Sequence, residues 1–189
     1  MIRVIKEKST ASPEDSWSTQ RIIDEASKYD SVLDVGCGIG KHIKAVKADV
    51  RVGVDAFGPV LEAAKRGNNG VVFKACDLNE PNGLAGMSFD CVMGIDIVEH
   101  FVKDDAVRLI ARCEQIAKKE VLFFIPVGAH PQTKDDRGFK NDYYQVHRST
   151  WHPEDMERLG YDVWYYPNWY DWAENVPKEK GAMFCQKIM

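Results

Sequence analysis

Side chains with catalytic capacity gather in the stretch "GIDIVEHF", where Asp96, Glu99 and His100 place two carboxylates and an imidazole close together. If the chain turns helical after Gly94, these three lie at i, i+3 and i+4 and share one face. Such a set suits a divalent cation that takes oxygen and nitrogen ligands. Without a cation, an imidazole there suits acid–base work. A second histidine, His147, stands in "YYQVHRSTWHPEDME" and is a candidate ligand or base. The candidate catalytic residues are therefore His100, His147 and Asp96, and the candidate metal set is Asp96, Glu99, His100 and His147. The ordinary alternative for His100 is a helix-end histidine bonded to backbone, and for His147 a surface loop residue. His42, His130 and His152 have no partner pattern and read as loop or helix-end residues.

A second stretch, "VLDVGCGIGKH", is an apolar run that breaks into Gly36, Gly38 and Gly40. Glycine lets backbone adopt unusual dihedrals and approach a ligand closely. A dinucleotide fingerprint would need glycine where Lys41 stands, and no G-K-[ST] follows as a phosphate loop would require. The turn therefore need not hold a pyrophosphate. Asp55 ends "VGVD", 19 residues after Gly36, where a carboxylate can accept both hydroxyls of a ribose. Asp77 in "ACDLNEP" can accept from an adenine amino group. Together they fit an adenosine ligand without demanding phosphates, although an aspartate after a strand also serves as an ordinary turn former or cap.

These residues must be positioned by the elements around them. "SPEDSW" reads as a helix start, with Ser12 as cap and Pro13 in the first turn, and Trp17, Ile22, Ile23 and Ala26 continue at helical spacing. Beyond it the pattern alternates. "SVLDVG" is a strand, 41–47 a helix, "VRVGVD" a strand and "GPVLEAAKRG" a helix. "GVVFKAC" and "FDCVMGID" are strands, "KDDAVRLIARCEQIAKK" an amphipathic helix, and "EVLFFIPV" a buried strand. "HPEDMERLGYDVWYY" gives a short helix and a strand, and "GAMFCQKI" a last strand. The pattern predicts an α/β fold, a Rossmann-like doubly wound, mostly parallel seven-stranded sheet with helices on both faces. In such sheets ligands sit outside the carboxyl ends of the strands. Those ends carry Asp34–Gly40, Asp55, Cys76–Asp77, Asp96–His100 and Pro126–His130.

A single domain over 1–189 is expected, with 1–30 an N-terminal helical segment and 127–152 a long polar loop over the site. "DVWYYPNWYDW" concentrates aromatic rings that can stack on a sugar, an aromatic acceptor or a base. The same rings could instead pack as an edge strand or join two copies in a homodimer.

In this order, "VLDVGCGIG", "VGVD", "ACDL", "FDCVMGIDIVEHF" and "VLFFIPVG" resemble the class I S-adenosylmethionine-dependent methyltransferases, over nearly the whole chain from about Ser31. The resemblance implies that Gly36, Gly38 and Gly40 line the methionine and ribose portions of the cofactor, with Asp34 near its amino group. It also implies that Asp55 binds the ribose hydroxyls, that Asp77 and the backbone of Leu78 recognise adenine, and that Asp96 sits beside the methionine moiety and the acceptor. Glu99, His100 and His147 resemble the metal-dependent branch that methylates RNA 3′-terminal 2′-hydroxyls, and some quinone O-methyltransferases. That branch carries E-x-x-E-H and a later histidine four residues before an aromatic. Here His147 precedes Trp151 by four, and Asp96 replaces the first glutamate. "HRSTW" followed by "PEDMERLGYDV" is similar to methyltransferases of glycan or small-metabolite tailoring.

Composition narrows the class further. The chain is 44% hydrophobic and 29% charged, with a formal net charge of −4, so it has no broad basic field for non-specific nucleic-acid binding. No signal peptide is expected from the first residues, and no run approaches the length that spans a bilayer. Five scattered cysteines without a CxxC pair read as small buried residues in a reducing compartment, hence cytoplasmic. The expectation is a methyltransferase that uses S-adenosyl-L-methionine, with a divalent metal as a second candidate cofactor, to methylate oxygen on a small molecule or glycan. The alternatives are an RNA 2′-O-methyltransferase with a divalent metal, disfavoured by the acidic charge, or a non-catalytic S-adenosylmethionine-binding partner subunit.

Overall fold

Each central strand sends alternate side chains to two opposite apolar layers, and that alternation fixes the architecture. A computed structural model describes residues 1–5, 17–135, 138–167, 169 and 181–189. Its strands are β1 (Ile2–Val4), β2 (Ser31–Val35), β3 (Val50–Asp55), β4 (Val72–Ala75), β5 (Phe89–Ile95), β6 (Ala117–Val127), β7 (Asp162–Tyr166) and β8 (Gly181–Ile188). Its helices are α1 (Trp17–Ala26), α2 (Lys41–Ala45), α3 (Gly58–Gly67), α4 (Lys103–Ile116), α5 (Asp142–Gln145) and α6 (Pro153–Arg158). On β6, Val121, Phe123 and Ile125 enter one core with Leu109, Ile110 and Cys113 of α4 and Met156 of α6. Leu122 and Phe124 enter the other, with Ile22 of α1, Ile43 of α2 and Leu61 of α3. Helices therefore cover both faces, as doubly wound sheets require.

The strand order is β1-β7-β8-β6-β5-β2-β3-β4. Among the described strands, only β8 runs antiparallel to its neighbours, β6 and β7. The order reverses between β2 and β5, which pair in parallel with Asp34 opposite Met93. A reversal of this kind opens the ligand crevice of such sheets. The glycine turn follows β2 and "GIDIVEHF" follows β5, so both chemistry-bearing stretches flank that crevice.

Three expectations need correction. The sheet has eight strands rather than seven, because Ile2–Val4 lies parallel to β7 in the register Ile2↔Val163, Arg3↔Trp164 and Val4↔Tyr165. Three residues are too few to show alternation, so a segment read as helical begins with an edge strand. Helix α2 ends at Ala45 because Val46 turns extended and buries its side chain. Helix α4 ends at Ile116, and Lys118 and Lys119 belong to β6. The helix start read in "SPEDSW" lies outside the described residues. In the aromatic stretch, Tyr166 and Trp169 are buried core residues, which is the plain packing alternative, while Tyr170 and Trp172 lie outside the described residues. All five cysteines are buried thiols.

Candidate active site

Gly36, Gly38 and Gly40 have φ of 71°, 53° and 77°, the left-handed region that side-chain-bearing residues avoid. The amides of Gly36 and Cys37 donate to the Val54 carbonyl at 2.8 and 2.9 Å, drawing the turn onto β3. Space adds a second demand. A Cβ on Gly36 would lie 2.3 Å from Ile97 Cδ1, and one on Gly40 2.6 Å from the Phe73 ring. The Gly38 amide donates to one carboxylate oxygen of Asp55 at 3.0 Å, and the Phe57 amide donates to the other at 2.9 Å. Asp55 is thereby fixed between the turn and the start of α3. A cleft opens here, with Gly38, Ile39, Asp55 and Val60 on one wall and Asp135, Phe139, Asn141 and Gln145 on the other.

The second wall comes from the long insert. Its base is closed where the Gly128 amide donates to the Trp151 carbonyl at 3.0 Å, and the Trp151 side chain is buried. Within the insert, the Asp135 amide donates to the Asp142 carboxylate at 2.7 Å and the Asn141 amide to the Asp135 carboxylate at 3.2 Å. Asp77, after β4, accepts through Oδ1 from the Asn79 amide at 2.9 Å and the Asn79 side chain at 2.8 Å. Its Oδ2 accepts from the Tyr144 hydroxyl at 3.4 Å. Leu78 is buried, and its carbonyl accepts from Arg112.

Asp34 lies beneath the turn and is 2% exposed, with Oδ2 lacking a hydrogen-bond partner. Burial, and next the charge of Asp55, push its carboxyl from 3.8 up to about 8, against a lowering contribution from the Ile43 amide. The folded chain thus keeps a proton that the unfolded chain releases from about pH 4 upward. The associated stability is complete below the unfolded value and is lost as pH rises through the folded one. Asp34→Asn is therefore expected to melt near the parent at pH 4 and several degrees above it at pH 8, as read by scanning calorimetry without cofactor. Parallel melting curves across that range would show that the carboxyl carries no such burden.

After β5 the expected helix does not form. Asp96 has φ of 49° and is exposed, and only Val98–His100 close a 3-10 turn. The shared α-helical face is lost, and Asp96 stands outside the convergent set. Glu99, His100 and His147 each bring one ligand atom to within 4.8 Å of the others. Glu99 is 2% exposed, and neither carboxylate oxygen has a hydrogen-bond partner. Burial, followed by the charge of Asp96, raises its pKa well above the usual value. The His100 and His147 rings meet edge to face with centroids 4.8 Å apart.

Backbone supports hold this cluster. His147 Nδ1 lies 2.5 Å from the His130 carbonyl. A carbonyl only accepts, so Nδ1 carries a proton, and a neutral ring then has its lone pair on Nε2. The amides of Arg148 and Ser149 donate to the Glu99 carbonyl at 2.8 and 3.1 Å, and the Arg148 guanidinium donates to the His100 carbonyl at 2.8 Å. The sequence points to Glu99, His100 and His147 but misses His130, Arg148 and Tyr144, whose roles depend on distant backbone or a distant carboxylate. His152 instead caps α6 with Asp155.

Residues 32–120 match a methyltransferase domain family. The chain is 33% identical over 113 residues to the mouse (Mus musculus) protein named probable tRNA methyltransferase 9B, covering 59% of this chain and 24% of that protein. It is 33% identical over 104 residues to the human (Homo sapiens) counterpart, covering 53% and 22%. The match thus spans about a quarter of the length of these relatives. Among solved structures, magnesium protoporphyrin IX methyltransferase from Synechocystis PCC 6803 with bound SAH aligns with a TM-score of 0.60 at 15% identity, covering 91% of this chain and 82% of that one. An S-adenosylmethionine-dependent methyltransferase from Clostridium acetobutylicum ATCC 824 aligns with a TM-score of 0.62 at 17% identity, covering 89% of each chain. These solved structures share the fold of this chain, and the matched family covers the segment that carries the glycine turn, β3, β4 and β5. Among the described residues, no helix is long and apolar enough to cross a membrane.

Proposed function

We propose that this chain transfers the methyl group of S-adenosylmethionine to a hydroxyl oxygen of a small molecule or glycan, and that Glu99, His100 and His147 handle the acceptor. One observation carries the reading. A buried carboxylate with both oxygens unpartnered faces two imidazoles at the carboxyl end of β5. Leaving such a group unsatisfied costs free energy, so it is explained best by a proton, a cation or a substrate that it receives.

The residues beside the glycine turn fit the cofactor. Three left-handed glycines leave the backbone open to close approach, Asp55 lines the cleft and is held by two amides, and Asp34 keeps an unpartnered oxygen below. Gly36, Gly38 and Gly40 would line the methionine and ribose portions, Asp34 would lie near the amino group and Asp55 would accept the ribose hydroxyls. Asp77 and the Leu78 backbone would hold adenine, and Asp96 would stand beside the methionine moiety and the acceptor. The bound cofactor supplies the sulfonium methyl. The protein aligns the acceptor oxygen in line with it and manages the hydroxyl proton.

His147 Nε2 is the basic lone pair positioned to take that proton, with its ring oriented by the His130 carbonyl. The donor set of one carboxylate and two imidazoles also fits Mn²⁺, Fe²⁺ or Zn²⁺, and such an ion would lower the pKa of the acceptor hydroxyl. An RNA hydroxyl is the second reading, favoured by the similarity to proteins named probable tRNA methyltransferase 9B and opposed by the net charge of −4. Labelled methyl transfer to a panel of sugar nucleotides, phenols and short RNAs decides between them. Label is expected on a sugar nucleotide or phenol. Label on RNA alone would overturn the acceptor class, and cofactor binding with no transfer to any acceptor would favour a non-catalytic partner subunit.

A further inference from the structure

The insert does more than wall the cleft. Helix α5 sends Tyr144 back to β4, where its hydroxyl donates to Asp77 Oδ2 at 3.4 Å. The other oxygen of that carboxylate is already held by the Asn79 amide and side chain. With both oxygens engaged, the plane of the carboxylate is set. The Phe57 ring, two residues beyond Asp55, lies 6.4 Å from the Tyr144 ring and tilted by 51°. One aromatic pair thus joins the segments that carry two carboxylates, Asp55 at the end of β3 and Asp77 after β4. Tyr144 does not hang from a free loop. The carbonyl of its neighbour Tyr143 accepts from the Arg148 guanidinium, which also donates to the His100 carbonyl at 2.8 Å. The arm that carries Tyr144 is anchored on the turn that carries Glu99.

We infer that Tyr144 sets cofactor selectivity: its ring covers the base of S-adenosylmethionine, and its hydroxyl holds the Asp77 carboxylate in the orientation that accepts from the exocyclic amino group of adenine. The inference rests on the reading of Asp77 as the adenine acceptor. A carboxylate fixed in this way favours a base that offers a donor and repels one that offers a carbonyl oxygen, because an ionised carboxylate only accepts. Freed from Tyr144, the same carboxylate can rotate to reduce that repulsion, and discrimination falls. Tyr144 is a positioning residue for Asp77 and a contact for the base, distinct from the groups that manage the acceptor.

The test is isothermal calorimetry of the full chain with S-adenosylhomocysteine and with S-inosylhomocysteine, which replaces the amino group by a carbonyl. The parent is expected to prefer the adenosine compound. Tyr144→Phe should keep its affinity for that compound within about threefold but lose about tenfold of the preference, the size expected for one hydrogen bond to a charged group. Tyr144→Ala should also lose about tenfold in affinity through the missing ring. An unchanged preference in Tyr144→Phe overturns the inference whatever Tyr144→Ala does, since a ring that only packs would weaken binding without moving the preference. A parent that binds neither compound would instead sink the cofactor reading itself. A parent that binds both equally would remove Asp77 as the base reader and this inference with it.

Discussion

Gly38→Val is expected to abolish measurable binding of S-adenosylmethionine while leaving a chain that unfolds cooperatively. Gly38 sits at φ of 53°, a conformation that costs an ordinary residue roughly 1–2 kcal/mol and a β-branched one more. Its amide donates to Asp55 at 3.0 Å, so relaxing the strain by rotating the peptide removes one of the two amides that orient Asp55. Keeping the peptide in place instead puts an isopropyl group into the cleft that Gly38 lines with Ile39 and Asp55. Either outcome damages the same site, and the loss should exceed about a hundredfold, beyond that of Asp77→Ala, which removes one hydrogen-bonding group. The fold should survive because the turn lies at the sheet's edge of chemistry and the two apolar layers do not include Gly38. Calorimetric titration checks binding, and a thermal melt checks folding. Parent-like affinity in Gly38→Val would place the cofactor elsewhere.

The turn was legible in the sequence because a glycine requirement is local. Three glycines alternating after an apolar run announce positive φ and close approach, and Gly36, Gly38 and Gly40 have both the dihedrals and, at Gly36 and Gly40, the crowding. The central strands were legible for the same reason, since β5 and β6 are apolar runs long enough to stand out, as strands buried on both faces do. What failed was structure decided by tertiary partners. The strand Ile2–Val4 exists because β7 offers it an edge 161 residues later in the chain, with Ile2 opposite Val163. Asp96 leaves the expected helical face because its amide is taken by the Phe124 carbonyl at 3.0 Å, which prolongs strand pairing past Ile95 and bends the chain at a positive φ. The helix–strand boundary at Ala117 was misplaced because helix propensity in "AKK" yields to pairing with β5, where Ala117 lies opposite Phe89. The support of His147 by the His130 carbonyl has no sequence signal at all, because a backbone carbonyl is present at every position.

Glu99→Gln and His147→Ala are expected to lower kcat by about 10²–10⁴, the range for removing a proton-transfer group, with cofactor affinity nearly unchanged. The separation follows from geometry. The residues proposed to hold the cofactor stand at or after the ends of β2, β3 and β4, whereas Glu99 and His147 meet on the turn after β5 and on the insert. The two substitutions then discriminate between acid–base and cation chemistry. Glutamine keeps the shape of glutamate but cannot offer a charged oxygen, so it should abolish any stabilisation by Mn²⁺ or Zn²⁺, which raises the melting temperature of a chain that binds it by mass action. Cation chemistry would give a cation-dependent rise in the parent, its absence in both variants, and loss of parental turnover after exhaustive chelation with recovery on adding the ion back. Full turnover after chelation, with melting temperature indifferent to cations, would eliminate the metal and leave His147 as the base. In that case His147→Ala should remain severe and Glu99→Gln should become mild, because a carboxyl whose pKa is raised well above its usual value by burial is already close in charge to the amide that replaces it.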